Sequence, residues 1–178
     1  MEFISVAIIA TDKSVILPQC LESAEKISDD VVIVTNSDHE FLNFADQKNY
    51  AASKCKHDWV LSLDADEYLS PELIAEIKNL DFSKAAYSIP RLNYIFGRPI
   101  FHTNWSPEND RHVWLFNKTK SHWEGQVHEH VIVYGSIGER NIDGKNSYVC
   151  RLHGVVRHLP IPIQVSKDLS IDFGKFLP

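Results

Sequence analysis

Long hydrophobic runs are missing from this chain. Nowhere in the sequence is there a stretch of about 18 apolar residues, the length a helix needs to cross a bilayer, so any membrane association is expected to be peripheral. The opening Met1-Glu2-Phe3-Ile4-Ser5 lacks the basic region and long apolar core of a signal peptide. Cysteine is scarce too. Cys20, Cys55 and Cys150 are odd in number, far apart and without CxxC spacing, which excludes a disulfide framework and a zinc knuckle and fits a reducing cytoplasm. Positive charge is in deficit: the formal net charge is -6, so the basic footprint of a general nucleic-acid binder is absent. There is no internal repeat and no low-complexity segment.

What is present is apolar patterning sufficient for one core. The 178 residues are 44% hydrophobic, which suits a single domain. Phe3 to Ala10 is an Ile- and Val-rich run that reads as a buried parallel strand. Leu17, Cys20, Leu21 and Ala24 then recur at helical spacing, and Asp29-Asp30 break the pattern before a second apolar run, Val31 to Val34. Strand, helix, strand is a right-handed crossover unit. Thr35-Asn36-Ser37-Asp38 closes the second strand with small polar groups, placed to offer hydrogen bonds to a nucleoside. A helix is predicted from Phe41 to Lys54, with Phe44, Ala45, Tyr50, Ala51 and Ala52 available to the core. From Ala85 onward the character changes. Tyr87 to Phe96 and Val113 to Phe116 are β-prone runs joined by Gly, Pro and Asn turns. Residues 1–80 therefore read as a nucleotide-binding α/β half and 81–178 as a mixed-sheet, acceptor-side half.

The chain is organised around the segment between those halves. Trp59 to Leu63 runs straight into Asp64, Asp66 and Glu67, a strand ending in carboxylates. Asp64 and Asp66 are two apart, so extended backbone sends both side chains to one face. Carboxylate oxygens suit Mg²⁺ or Mn²⁺, ions that keep several waters and bridge to substrate phosphates. Ser70-Pro71-Glu72 supplies an N-cap, a Pro at the first helical position and a first-turn acid, so a helix follows, to Asn79. In open α/β sheets, ligands bind beyond the carboxyl ends of the strands. Acids of this kind more often merely cap a turn, but the apolar strand before them and the capped helix after them favour a metal site.

Read this far, the sequence resembles the family 2 glycosyltransferases of the GT-A fold, and among them bacterial lipopolysaccharide-core β-1,4-glucosyltransferase-like proteins. The residues that carry the resemblance are Ile4 to Ile9, Cys20-Leu21-Glu22-Ser23, Gln47-Lys48-Asn49-Tyr50-Ala51 and the run from Asp58 to Glu67. Further marks are Pro90-Arg91 with Asn93-Tyr94, Gly97-Arg98, Trp105-Ser106-Pro107, Leu115-Phe116 and Val127-His128-Glu129. The pairing of Gln-Lys-Asn-Tyr-Ala with a downstream Leu-Asp-Ala-Asp-Glu is specific where a lone DxD is not.

The resemblance implies an α/β fold of the GT-A nucleotide-diphospho-sugar transferase type, a single mixed-sheet domain shortened relative to the family. It implies inverting transfer of a sugar from a nucleotide-sugar donor, UDP-sugar foremost, to a cell-envelope saccharide or lipid-linked acceptor, in the cytoplasm or at the inner face of the membrane. Asp66 would ligate the Mg²⁺ or Mn²⁺ directly, with Asp64 nearer the ribose or a metal-bound water. Lys48 and Arg91 would answer phosphate charge, and Asp12 and Asn36 would line the nucleoside loops. A histidine late in the chain would join the metal, His158 fitting better than His153. Glu129 is the first candidate for the general base, oriented by His128 and His130, and Asp110 the second. The first loop reads Thr11-Asp12-Lys13 and the second lacks the family's leading acid, which keeps open a degenerate transferase that only binds sugar or nucleotide. A phosphohydrolase with an Asp nucleophile is a weaker alternative, because its motif belongs on the first strand and continues to Thr.

Overall fold

The computed structural model describes residues 2–13, 16, 18–134, 139–142 and 144–153. Its first strand, β1 (Ile4–Ile9), is buried along its whole length. The reason lies on both sides of it. After α1 (Pro18–Glu25), β2 (Asp30–Val34) pairs with one edge of β1 in parallel, and after α2 (Phe44–Lys54), β3 (Trp59–Asp64) pairs with the other. Alternate β1 side chains then enter opposite layers. Val6 and Ile8 pack with Cys20, Ala24, Leu61 and Leu63, whereas Ala7 and Ile9 pack with Ala45, Ala51, Ala52 and Val60.

Beyond β3 come a short β4 (Glu67–Leu69), α3 (Pro71–Lys78), β5 (Ala86–Ile95), the two-residue β6 (Arg98–Pro99) and β7 (Arg111–Asn117). They are followed by β8 (Ser121–Glu124), β9 (His130–Val133), β10 (Glu139–Asn141) and β11 (Val149–His153). Among the described residues the main sheet runs in the order β2, β1, β3, β7, β5, β11, β4, with β6 and β10 also on β5. Strand β7 is antiparallel to both β3 and β5, so the sheet changes from parallel to mixed in its second half, as the patterning predicted. The single mixed α/β sheet agrees with the GT-A expectation. Strands β8 and β9 form a separate hairpin whose Trp123 and Val131 pack on the α2 layer.

Helix α3 begins where its signals stand, with the Ser70 hydroxyl accepting from the Leu73 amide and Pro71 in the first turn. Helix α2 starts three residues later than the sequence reading placed it. The Asn43 side chain accepts from the Asp46 amide and caps the helix there. Phe44 consequently faces out at 51% exposure against Phe41, while the inward face carries Ala45, Lys48, Ala51 and Ala52. No helix among the described residues is long and apolar enough to cross a membrane.

Candidate active site

The strand-end acids sit where β3 stops. Asp64 is the last residue of β3, and the turn through Ala65 and Asp66 leads directly into Glu67 of β4. The side chains of Asp64 and Asp66 are partly exposed, at 23% and 29%, whereas that of Glu67 is 2% exposed. Glu67 Oε2 accepts from the Trp114 indole at 3.1 Å and from the Asp64 amide at 3.1 Å. Burial, then the charge of Asp64, pushes the Glu67 carboxyl up to about 7. Asp64 is shifted the other way: burial would raise it, but Lys48 and Arg151 outweigh burial and hold it below the usual carboxylate range.

Three cations answer these acids. Lys48, carried on the inward face of α2, places Nζ 3.4 Å from Asp64 Oδ1 and 2.9 Å from Glu129 Oε1. It also lies over the Trp123 ring, 4.4 Å from the centroid. Burial alone would lower its ammonium, yet Asp64 and Glu129 more than compensate and the shift is upward. Arg151 stands on β11, paired to Glu67 of β4 on one side and to Asn93 of β5 on the other. Its guanidinium reaches Asp64 Oδ2 at 3.3 Å, Asp66 Oδ2 at 3.4 Å and Glu67 Oε1 at 3.6 Å. Arg91 lies 3.7 Å from Glu67 Oε1 but makes its closest bonds to Asp110.

Asp110 is the centre of a second knot. Arg91 grips it through Nε at 2.8 Å and Nη2 at 3.1 Å, Asn93 donates at 2.6 Å and His112 lies at 2.8 Å. Burial opposes ionisation there, but the bonds from His112, Arg91 and Asn93 prevail and its carboxyl is held far below the ordinary range. Asn93 turns its carbonyl to His153 Nε2 at 2.7 Å, and His153 stacks on Trp105. Burial, followed by the charge of Arg151, pushes His153 down.

Glu129 leads into β9 from the loop after β8, where Gly125 at φ 109° and His128 at φ 61° make a tight path. A cavity of about 340 Å³ opens beside it, bounded by Ser88, Arg111, His112, Trp123 and His130 among others. Among the described residues Glu129 is held by Lys48 rather than by either flanking histidine. Asp12 and Asn36 lie at the same edge of the sheet, beyond the carboxyl ends of β1 and β2. Asp12 Oδ1 accepts from the Ser37 amide at 3.0 Å, and hydrogen bonds from Thr35 and Ser37 lower its carboxyl. His158 lies outside the described residues.

Asp64, Asp66, Lys48 and Glu129 are thus brought together, with Arg91 and Asp110 in the adjoining knot. Arg151 was not singled out from the sequence, although a lone Arg in the apolar run Val149-Cys150-Arg151-Leu152 was a visible signal. The Trp114 indole holds Glu67. Cys20, Cys55 and Cys150 are free and buried.

A divalent cation of the kind the resemblance implies can be tested against this donor set. Five carboxylates, Asp64, Asp66, Glu67, Asp110 and Glu129, face three cations, Lys48, Arg91 and Arg151, leaving two negative charges unmatched when all are ionised. Asp64 Oδ1 is buried and accepts no hydrogen bond. Among the described residues no group of three or more His, Cys, Asp or Glu is arranged around a common point for a metal. Two carboxylates suffice for Mg²⁺ or Mn²⁺ when phosphates and water complete the shell, so the residues fit such an ion.

Comparison with known proteins points the same way. The chain resembles an uncharacterized glycosyltransferase of Rickettsia prowazekii at 34% identity, the match covering 44% of this chain and 32% of that protein. A homologue from Rickettsia typhi is 33% identical with the same coverage. The lipopolysaccharide core biosynthesis glycosyltransferase LpsC of Rhizobium meliloti is 23% identical over 76% of this chain and 59% of its own length. The chain thus spans about a third of the Rickettsia proteins it matches. The family model described as Glycosyl transferase family 2 matches residues 7–145, a span that takes in β2 to β10, the acids Asp64, Asp66 and Glu67 and the Glu129 loop, and the chain belongs to that family.

Proposed function

We propose that this domain transfers a sugar from a nucleoside-diphosphate donor, a UDP-sugar, to a hydroxyl of a cell-envelope saccharide with inversion at the anomeric carbon. The observation that carries the reading is the convergence on Lys48, whose ammonium touches both a strand-end acid, Asp64, and the downstream carboxylate, Glu129. Donor-side acids and a candidate base therefore lie within reach of one side chain. The family-level coverage supports glycosyl transfer, and the name of the Rhizobium relative, a lipopolysaccharide core biosynthesis glycosyltransferase, supports a cell-envelope saccharide as acceptor.

Asp66 and Asp64 would hold Mg²⁺ or Mn²⁺. The ion, when bound, neutralises charge developing on the departing diphosphate. The remaining work belongs to side chains. Asp12 and the Thr35–Asp38 turn bind the nucleoside at the strand ends. Lys48 fixes Glu129 towards the cavity, where the acceptor hydroxyl would give up its proton to the carboxylate as the new glycosidic bond forms. Asp110, already saturated by Arg91, Asn93 and His112, is a weak base and serves to fix Arg91.

Calorimetry with UDP in the presence and absence of Mn²⁺ tests the donor side. Wild-type protein should bind UDP in a Mn²⁺-dependent way, and Asp66→Asn should abolish that dependence with the fold intact. Undiminished Mn²⁺-dependent binding by the variant would overturn the assignment of Asp66.

A further inference from the structure

Arg151 holds the acid pair by charge without hydrogen-bonding it well. Its contacts of 3.3, 3.4 and 3.6 Å to Asp64, Asp66 and Glu67 are all long against the 2.7–2.9 Å or so of a good charge-assisted bond. Its Nε is buried and makes no hydrogen bond. The backbone explains why it nonetheless stays there. Residue 151 is locked between β4 and β5 by strand register, so the guanidinium is delivered to the carboxylates whether or not its geometry suits them. A planar fork with five donors and an unsatisfied Nε is suited to phosphate oxygens, which it can grip at two points.

We infer that Arg151 is a donor-diphosphate residue that occupies the Asp64–Asp66 pair when no donor is present. When nucleotide and metal arrive together, the guanidinium gives up the carboxylates and turns to the diphosphate oxygens. The inference rests on the proposed reading of Asp64 and Asp66 as the metal's ligands. Its physical consequence is coupling. A divalent ion arriving alone meets a positive charge between its two ligands, and a diphosphate arriving alone meets an excess of carboxylates. Each ligand removes the obstacle to the other, so the two bind as a unit.

The test is calorimetry on the full chain with Mn²⁺ alone, with UDP alone and with UDP at saturating Mn²⁺. In wild-type protein UDP should bind at least about tenfold tighter with Mn²⁺ than without, within the range usual for coupled sites. Arg151→Gln should tighten Mn²⁺ alone and weaken UDP with Mn²⁺, each by about tenfold, so that the coupling collapses. Arg151→Lys keeps a positive charge beside the acids, which protects the fold, but lacks the planar fork that grips phosphate oxygens at two points; it should show the same changes in smaller measure. Strong coupling in the wild type that persists in both variants, with Mn²⁺ alone binding no tighter, overturns the role of Arg151. Absence of Mn²⁺-dependent UDP binding in the wild type overturns the reading of the acid pair, and this inference with it.

Discussion

Lys48 Nζ lies 2.9 Å from Glu129 Oε1, joining an α2 side chain to a loop 81 residues further along the chain. The same ammonium is 3.4 Å from Asp64 and over the Trp123 ring, so one buried cation ties donor acids, candidate base and hairpin together. Lys48→Met keeps the apolar stem and deletes the charge. Leaving partly buried carboxylates uncompensated costs about 3 kcal/mol, and chemical denaturation should show a loss of that order. Unchanged stability would mean that the charge of Lys48 contributes nothing to the fold.

Glu129→Gln separates the two candidate bases. It keeps size and hydrogen-bonding capacity while removing the proton-accepting site, and positioned bases contribute roughly 10²- to 10⁴-fold to rate. Turnover should fall by that factor while UDP affinity in the presence of Mn²⁺ stays nearly constant. Asp110→Asn should instead loosen Arg91 and act mainly through stability. If Asp110→Asn abolishes turnover and Glu129→Gln retains it, the base is Asp110.

The contrast between those two acids shows where the sequence was legible. Period and capping determined β1, β3, α3 and the strand-end position of Asp64 and Asp66, because each depends on neighbours in sequence. The resemblance put Glu129 ahead of Asp110, but the physical difference between them lies in partners that local pattern does not show: Lys48, 81 residues away, for one, and Arg91 and Asn93, from another strand, for the other. The partners of Arg151 were not legible either, although the residue stands out in its apolar run. Its role depends on β11 inserting between β4 and β5, a pairing that local pattern does not encode. Phe44 went astray on a cap three residues into the expected helix.

A pH dependence of stability follows from Asp30 at the start of β2. Burial pushes its carboxyl up, but the Ser5 hydroxyl at 2.6 Å and the Lys56 amide at 2.8 Å outweigh burial and leave it lowered from 3.8. A carboxyl lowered in the folded state stabilises above its unfolded value and loses that contribution as pH falls through the folded one. Asp30→Asn should therefore cost about 2 kcal/mol at pH 7, the scale of hydrogen bonds to a charged group. The gap between variant and wild type in urea denaturation should narrow below about pH 4, near the unfolded carboxylate value. A gap that stays constant down to the acid limit would show that the charge of Asp30 contributes nothing.

The position of Glu129 depends on a residue without a side chain. Gly125 has φ 109°, a conformation that L residues rarely adopt, and a Cβ there would lie 3.3 Å from Glu129 Cα and 3.4 Å from the His128 carbonyl oxygen. The neighbours are backbone, so they cannot move aside as a flexible side chain would. Gly125→Ala should cost about 1–3 kcal/mol through backbone strain. Its effect on function should be sharper than its effect on the fold. Any relaxation displaces the Glu129 backbone, and a displacement of about 1 Å at a reacting group can cost 10²-fold in rate. Mn²⁺-dependent UDP binding, which depends on Asp64 and Asp66 at the end of β3, should change little. Thermal denaturation, UDP calorimetry and turnover measured on the same variant separate these effects. A variant with wild-type turnover and wild-type melting would show that the loop tolerates the methyl group and that Gly125 does not position Glu129.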